Sequence, residues 1–214
     1  MILKYKFKPG CRVFLFWVMI PLLLNSCATL KKEECLTVNW YNIGYEDGTR
    51  GYESSRVALH RKACSKYGVI PDLSLYQKGR SEGLVEYCTP HTGYSQGVNG
   101  LTYRDVCQGD LKDPFQQAYN IGRDIYLFQK QVQHEQRDQD RLAKEIDKMD
   151  LLIKEKEVQL SRACKNPKNC TQELNHIRDL DRQMHRLKFE FRSKEHQIQD
   201  MRQRLDEMKD QNRF

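Results

Sequence analysis

No apolar run in the 214 residues reaches the ~20 that a membrane-spanning helix needs. The nearest, residues 13–24, is 12 long, so a multi-pass membrane protein is excluded. Charge of one sign is also scarce. The formal net charge is +7, but Lys4, Lys6, Lys8 and Arg12 supply four of the 36 bases; without them 32 bases face 29 acids, a net +3. A chain so nearly balanced has no electrostatic footprint for nucleic acid, and none is expected as a partner. Paired CxxC motifs are missing, and no glycine cluster ends in Lys-Ser or Lys-Thr, so neither a zinc ribbon nor a phosphate-binding loop is encoded. Residues 129–214 hold no glycine and a single proline, Pro167, which leaves little there to interrupt a helix.

The N-terminus has the build of a secretory signal: a basic stretch, then the 12-residue apolar run, then Leu24-Asn25-Ser26-Cys27. Those four residues resemble the bacterial lipobox, in which signal peptidase II cuts before a cysteine that already carries diacylglycerol. The resemblance implies that residues 1–26 are removed and that Cys27 becomes a thioether-linked, N-acylated first residue of a lipoprotein. Three acyl chains such as palmitate, at ~0.8 kcal/mol per buried CH₂, exceed what stable attachment requires. Ala28 stands where an Asp would favour retention in the inner membrane. The expected address is therefore the outer membrane, lipid-anchored and facing the periplasm, with residues 27–34 as a lipidated linker.

Beyond Cys27 the exported chain keeps Cys35, Cys64, Cys88, Cys107, Cys164 and Cys170. An even number in an oxidising compartment reads as disulfides. Cys164 and Cys170 flank the turn-forming Lys165-Asn166-Pro167-Lys168-Asn169 and are expected to pair locally. A single helix over 40–67 would be ~40 Å long and would hold Cys35 and Cys64 well beyond the ~4.4–6.8 Å Cα separation of a disulfide. The same reasoning across the next helix disfavours Cys64 with Cys88. The expected pairs are Cys35–Cys88 and Cys64–Cys107, although glycines could break either helix. Zinc competes, because His60 precedes Cys64 by four residues and His91 follows Cys88 by three. It would need reduced thiols in an oxidising compartment, and no cofactor or metal is assigned.

Residues 35–128 contain most of the tyrosine and glycine. Tyr-x-x-Gly occurs five times (Tyr41/Gly44, Tyr45/Gly48, Tyr76/Gly79, Tyr94/Gly97, Tyr119/Gly122), against about 0.6 for chance placement of 11 tyrosines and 12 glycines. Glycines also recur at offsets of three, four and seven, which lie on one helix face: Gly44, Gly48 and Gly51; Gly79 and Gly83; Gly93, Gly97 and Gly100. Each mid-helix glycine costs about 1 kcal/mol relative to alanine, a cost tolerated where another backbone must come close. The pattern predicts a small domain whose helices meet along glycine seams, with tyrosine rings in the adjoining volume. Tyr67-Gly68 stops the first helix, Pro71-Asp72 caps one running to about Cys88, and Asp113-Pro114 opens another. Residues 89–108 read as loop or short helix.

Taken together, Asn39-Trp40-Tyr41-x-x-Gly44-Tyr45-x-Asp47-Gly48-x-x-Gly51, His60-x-x-x-Cys64, Pro71-Asp72, Tyr76-x-x-Gly79-Arg80-x-x-Gly83-Leu84 and Tyr87-Cys88 resemble the domain-of-unknown-function 2799 family of bacterial lipoproteins. The resemblance covers about residues 35–122, with Asn39 where an acidic residue is usual. It implies export and lipidation and carries over no catalytic residue.

After Gly122 the apolar positions step by four and three: Leu142, Ile146, Met149, Ile153, Lys156, Leu160, then Ile177, Leu180, Met184, Leu187, Phe191, Lys194, Ile198, Met201, Leu205 and Met208. Such spacing sustained over about four heptads predicts a coiled coil. Glu135 and Gln139 fall on the same register upstream. Pro167 cannot continue a helix interior, so 129–214 is expected to fold into a hairpin with its turn at 164–170.

The fold class expected is all-α: a small disulfide-linked helical domain with glycine-seam packing, continuing into a long antiparallel coiled-coil hairpin. The leading function is a lipid-anchored envelope protein of structural or interaction type. Its partners would be the membrane, through the N-terminal lipid, and an envelope protein or a second copy through the coil. The alternatives are a metal- or ligand-binding lipoprotein, or an enzyme acting on cell-wall material with Asp47, Asp72 or Glu82 and His60 as acid and base. Enzymatic chemistry needs those groups to converge in a cleft; Asp72 reads more simply as a cap, and Asp47 and Glu82 as surface residues.

Overall fold

The structure, a computed structural model, describes residues 29–212; Cys27 and the lipobox lie outside them. Seven α-helices and no strand form among the described residues. They are α1 (Lys32–Leu36), α2 (Trp40–Thr49), α3 (Val57–Cys64), α4 (Leu73–Tyr87), α5 (Pro90–Val98), α6 (Lys112–Ala163) and α7 (Pro167–Gln211). The molecule is all-α, with a disulfide-linked domain leading into a long hairpin.

The single helix expected over 40–67 does not form. Helix α2 stops at Thr49 because Gly51 takes a left-handed φ of 63°, a conformation that costs other residues about 1–2 kcal/mol. Two backbone bonds close the reversal: the Gly51 N–H donates to the Gly48 carbonyl and the Tyr52 N–H to the Asp47 carbonyl, each at 2.9 Å. The chain turns back through Ser54–Arg56 into α3, which carries Cys64 to α1. Cys35 therefore bonds Cys64, with Cα atoms 5.4 Å apart, and Cys88 bonds Cys107 at 5.7 Å. The pairs expected from sequence, Cys35–Cys88 and Cys64–Cys107, are corrected on this point: the separation argument assumed an unbroken helix. Cys164 bonds Cys170 across the hairpin turn.

Helices α2 and α4 run parallel and touch backbone to backbone. A Cβ on Gly44 would overlap the Tyr76 carbonyl, one on Gly48 the Arg80 carbonyl, and ones on Gly79 and Gly83 the Tyr41 and Tyr45 carbonyls. The glycine hydrogens thus point at carbonyl oxygens of the facing helix, the geometry of weak Cα–H···O bonds. Helices α5 and α6 repeat the arrangement. Gly93 meets the Phe115 carbonyl, Gly97 the Tyr119 carbonyl and Gly122 the Tyr94 carbonyl.

These two pairs are copies of one unit. Gly44, Gly48 and Gly51 correspond to Gly93, Gly97 and Gly100, each 49 residues later, while Tyr76, Gly83 and Tyr87 correspond to Phe115, Gly122 and Tyr126, each 39 later. Gly51 and Gly100 both have positive φ, and a Cβ on either would strike the equivalent ring, Tyr87 or Tyr126. The Leu101 N–H donates to the Gln96 carbonyl at 3.0 Å, as Tyr52 does to Asp47. Each disulfide ties the segment before the first helix of a pair to the crossover between its helices. The first crossover is ten residues longer, and that surplus accommodates α3.

Asp72 caps α4 by accepting from the Leu75 N–H at 3.0 Å, and Thr89 caps α5 by accepting from Thr92. Helix α6 begins at Lys112, so Asp113 and Pro114 lie in its first turn rather than ahead of it. It then runs 52 residues, ~78 Å, straight past residue 128. The domain and hairpin share this helix. Helix α7 returns alongside, burying Leu180, Met184, Ile198 and Leu205 against partners that include Ile153, Val132 and Ile125. The charged residues on the register are paired across the coil: Lys156 with Glu173 at 3.1 Å and Lys194 with Glu135 at 2.5 Å. At the base, Met201, Leu205 and Met208 close over Ile125, Phe128 and the α5 residues Tyr94 and Val98.

Candidate functional site

Offsets of three and four place Asp47 on the glycine face of α2, so its carboxylate points into the domain and is only 4% exposed. Burying an ion this deeply is tolerated when its oxygens are saturated by donors. Asp47 has three. His60 Nε2, from α3, lies 2.8 Å from Oδ2; the Tyr76 hydroxyl, from α4, donates to the same oxygen at 2.7 Å; and Arg56 Nε donates to Oδ1 at 3.1 Å. Burial pushes the Asp47 carboxyl up, but the hydrogen bonds from His60 and Tyr76 and the charge of Arg56 outweigh it and hold the group below the usual carboxylate range. Burial, then the bond to Asp47, drives the Tyr76 phenol well above its ordinary value. An ionised Asp47 accepts, so His60 Nε2 carries a hydrogen. Its other nitrogen, Nδ1, lies 3.0 Å from the Thr29 hydroxyl. Among the described residues no buried side-chain nitrogen or oxygen lacks a hydrogen-bond partner.

This cluster joins four parts of the chain. Thr29 precedes α1, Asp47 lies on α2, Arg56 and His60 come from the turn before α3 and from α3 itself, and Tyr76 lies on α4. Leu30 is buried beside it with Trp40, Tyr76 and the Cys35–Cys64 disulfide. Within the stretch expected as a linker, Thr29 and Leu30 pack onto the domain, while residues 31–34 are exposed.

Hydroxyl, imidazole and carboxylate in that order also describe an acyl-transfer triad. Here His60 is 3% exposed and Asp47 already serves three donors, so the cluster's chemistry is to hold the N-terminal segment and the first crossover against the seam. On the far side of Asp47, Arg56 opens onto a cleft lined with Tyr52, Glu53, Ser55, Leu59 and Arg104.

Of the acids considered from sequence, the structure brings only Asp47 to His60, and Asp47 is buried rather than at the surface. Asp72 is a helix cap, and Glu82 accepts from the Tyr41 hydroxyl on the exposed side of the first pair, as Glu86 does from Tyr45. Cys64 and Cys88, the sulfurs a zinc site would have used with His60 and His91, are both in disulfides. No group of three or more potential metal ligands occurs among the described residues. Arg56, Tyr76 and Thr29 escaped sequence reasoning. The legible signal was Asp47 itself, three residues after Gly44 and one before Gly48.

No curated protein and no solved structure matches the chain. Residues 39–124 match the family described as "Protein of unknown function (DUF2799)". That span opens at the α2 cap and closes just after the last seam glycine, Gly122, taking in both copies of the helix pair and leaving out Thr29, Cys35 and the hairpin. This doubled glycine-seam unit, residues 39–124, is the part of the chain that belongs to the DUF2799 family.

Proposed function

We propose that this is a lipid-anchored protein of the bacterial cell envelope, held in the outer membrane by acylated Cys27, facing the periplasm, and acting by contact rather than catalysis. The lipobox at Leu24-Asn25-Ser26-Cys27 supports the anchor. The observation that carries the reading is the docking of Thr29 and Leu30, which leaves only residues 27 and 28 between the acyl chains and the packed domain. A domain tethered so tightly lies against the bilayer surface and cannot sweep through the periplasm. Reach would then come from the hairpin, whose ~78 Å helix carries the Cys164–Cys170 tip away from the domain. The occupant of that reach is an envelope protein or a second copy of the chain.

Two variants test this. Cys27→Ala should release the protein from the membrane fraction and abolish acyl mass at the N-terminus; continued acylation or unchanged attachment overturns the anchor. Replacing residues 150–184 with a short glycine-rich turn shortens the finger but keeps the domain and the hairpin base. It should leave attachment intact and erase the cross-linked partner bands, and an unaltered cross-linking pattern overturns the contact role.

A further inference from the structure

We infer that the cleft beside the buried cluster is a binding site for a phosphate group. The cleft is open, about 410 Å³, and lined by Tyr52, Glu53, Ser55, Arg56, Leu59 and Arg104. Its central feature is an arginine fixed before any ligand arrives. Arg56 Nε is committed to buried Asp47 at 3.1 Å, and its guanidinium carbon sits 3.8 Å from the centre of the Tyr52 ring. Tyr52 is fixed in turn: its N–H donates to the Asp47 carbonyl and its own carbonyl accepts from Arg80 Nε, both at 2.9 Å. With Nε occupied, the two terminal nitrogens of Arg56 keep their four N–H groups for the cleft. Arg104, from the second crossover, lies over the same ring at 5.8 Å and has no carboxylate partner among the described residues.

Two guanidinium groups around one aromatic ring suit a dianion better than a monoanion. A phosphate monoester carries about −1.5 to −2 at pH 7 and offers oxygens that match a planar fork. A pre-set arginine loses less side-chain freedom on binding than a mobile one, which raises affinity without adding contacts. Glu53, whose carboxylate accepts weakly from the Ser55 hydroxyl at 3.4 Å, is the one acid in the lining. It suits a ligand that presents hydroxyl groups next to its phosphate. The Tyr52 ring and the half-exposed Leu59 provide an apolar wall for the carbon skeleton. Phosphate in this setting has two sources, a lipid headgroup or a soluble phosphate ester. The relay Arg56–Asp47–His60–Thr29 ends two residues from Cys27, so the headgroup source rests on the proposed anchor while binding itself does not.

The test uses the chain from residue 28 to its end, which keeps every described residue and carries no acyl group. It is titrated with glycerol 3-phosphate, inorganic phosphate and acetate at one ionic strength, and with phosphatidylcholine vesicles with and without phosphatidic acid. Saturable binding of both phosphate compounds is expected, at least tenfold tighter than acetate. Arg104→Gln, a change on an exposed loop, should weaken it about tenfold, and Arg56→Lys should weaken it while keeping the charge. Phosphatidic-acid-dependent vesicle binding that Arg104→Gln removes identifies the headgroup as source; glycerol 3-phosphate binding without vesicle preference identifies a soluble ester. No saturable phosphate binding, or equal affinity for acetate, overturns the proposal, and neither result bears on whether Cys27 is acylated.

Discussion

The two helix pairs share one backbone seam but centre it on opposite chemistries. In the first pair Asp47 and Tyr76 face each other and draw in His60 and Arg56. In the second the corresponding positions are Gln96 and Phe115, and Phe115 packs instead into an aromatic cluster with Tyr87, Tyr103 and Tyr119. The longer first crossover supplies Arg56 and His60, two of the hydrogen-bond donors that Asp47 needs; the shorter second crossover supplies a ring, Tyr103. A backbone-to-backbone seam depends only on the absence of side chains, so it can be duplicated unchanged while the residues beside it diverge. The pair nearest the N-terminus has the charged network, and the pair that launches the hairpin has the apolar one.

The comparison breaks most severely at the seam. Gly48→Val and Gly97→Val each drive a branched side chain into a facing carbonyl that cannot withdraw without separating two helices. Both should cost at least about 4 kcal/mol, at the upper end of single substitutions, and should leave chains that fail to give a cooperative thermal transition by circular dichroism. If one tolerates valine and the other does not, the two seams are not equivalent.

Next come the disulfides. Removing Cys35–Cys64 with paired alanines opens a loop with a separation of 29, and removing Cys88–Cys107 one of 19. Chain-entropy arithmetic gives about 3.6 and about 3.2 kcal/mol, a difference of only ~0.4 kcal/mol. Urea denaturation of the two double variants should therefore return similar losses. A much larger loss for Cys35–Cys64 would mean that docking of the N-terminal segment depends on that bond and not on Thr29 and Leu30 alone.

The third break separates the copies. Asp47→Asn keeps the size of the side chain but leaves His60, Tyr76 and Arg56 facing a neutral group, at a cost of about 2–3 kcal/mol. Gln96→Asn in the partly exposed equivalent position should stay within ~0.5 kcal/mol. The same carboxylate makes stability depend on pH. Its folded-state pKa is depressed below the unfolded value, so its contribution is complete above the ordinary carboxylate range and is lost as pH falls through the folded value. Urea midpoints should thus drop as pH falls below the ordinary carboxylate range, and Asp47→Asn should flatten the part of that drop due to this group.

These differences also mark where sequence stopped being informative. The seam was legible because glycine at offsets of three and four has a single physical use in a polar helix. The hairpin was legible because apolar steps of four and three persist up to Met208, with Lys156 and Lys194 falling on the register and finding acids across it. The disulfide pairing was not, because one backbone angle at Gly51 decides whether α2 continues or reverses, and a seam glycine and a stop glycine look alike in sequence. The duplication was hidden too. The most alike stretches, Tyr-Asn-Ile-Gly at 41–44 and at 119–122, are not equivalent: Gly44 corresponds to Gly93, and Gly122 to Gly83. Unequal crossovers shift the two halves of the repeat by different amounts, which defeats any single period. Asp47 reads as a surface residue from sequence, although its offsets from Gly44 and Gly51 place it on the seam face; its partners lie 9, 13 and 29 residues away, and only the fold brings them together.

The smallest expected effect tests whether the copies brace their turns in the same way. In the first, Arg80 Nε donates to the Tyr52 carbonyl just past the left-handed glycine; in the second, the equivalent residue, Tyr119, donates its hydroxyl to the Leu101 carbonyl at 2.8 Å. Tyr119→Phe deletes that donor and nothing else. A buried carbonyl left unpaired would cost about 1–3 kcal/mol, but Leu101 is exposed and water can replace the hydroxyl, while Arg123 still holds the neighbouring Gly100 carbonyl at 3.1 Å. The loss should be about 0.5 kcal/mol in urea denaturation. Arg80→Met should cost more, near 1.5 kcal/mol, because a charged donor is lost and because Tyr52 is also the ring on which Arg56 and Arg104 rest. Equal costs would mean that the Tyr52 carbonyl bond is only a turn brace; a larger cost at Arg80, with weakened phosphate binding, ties the brace to the cleft that Tyr52 and Arg56 line.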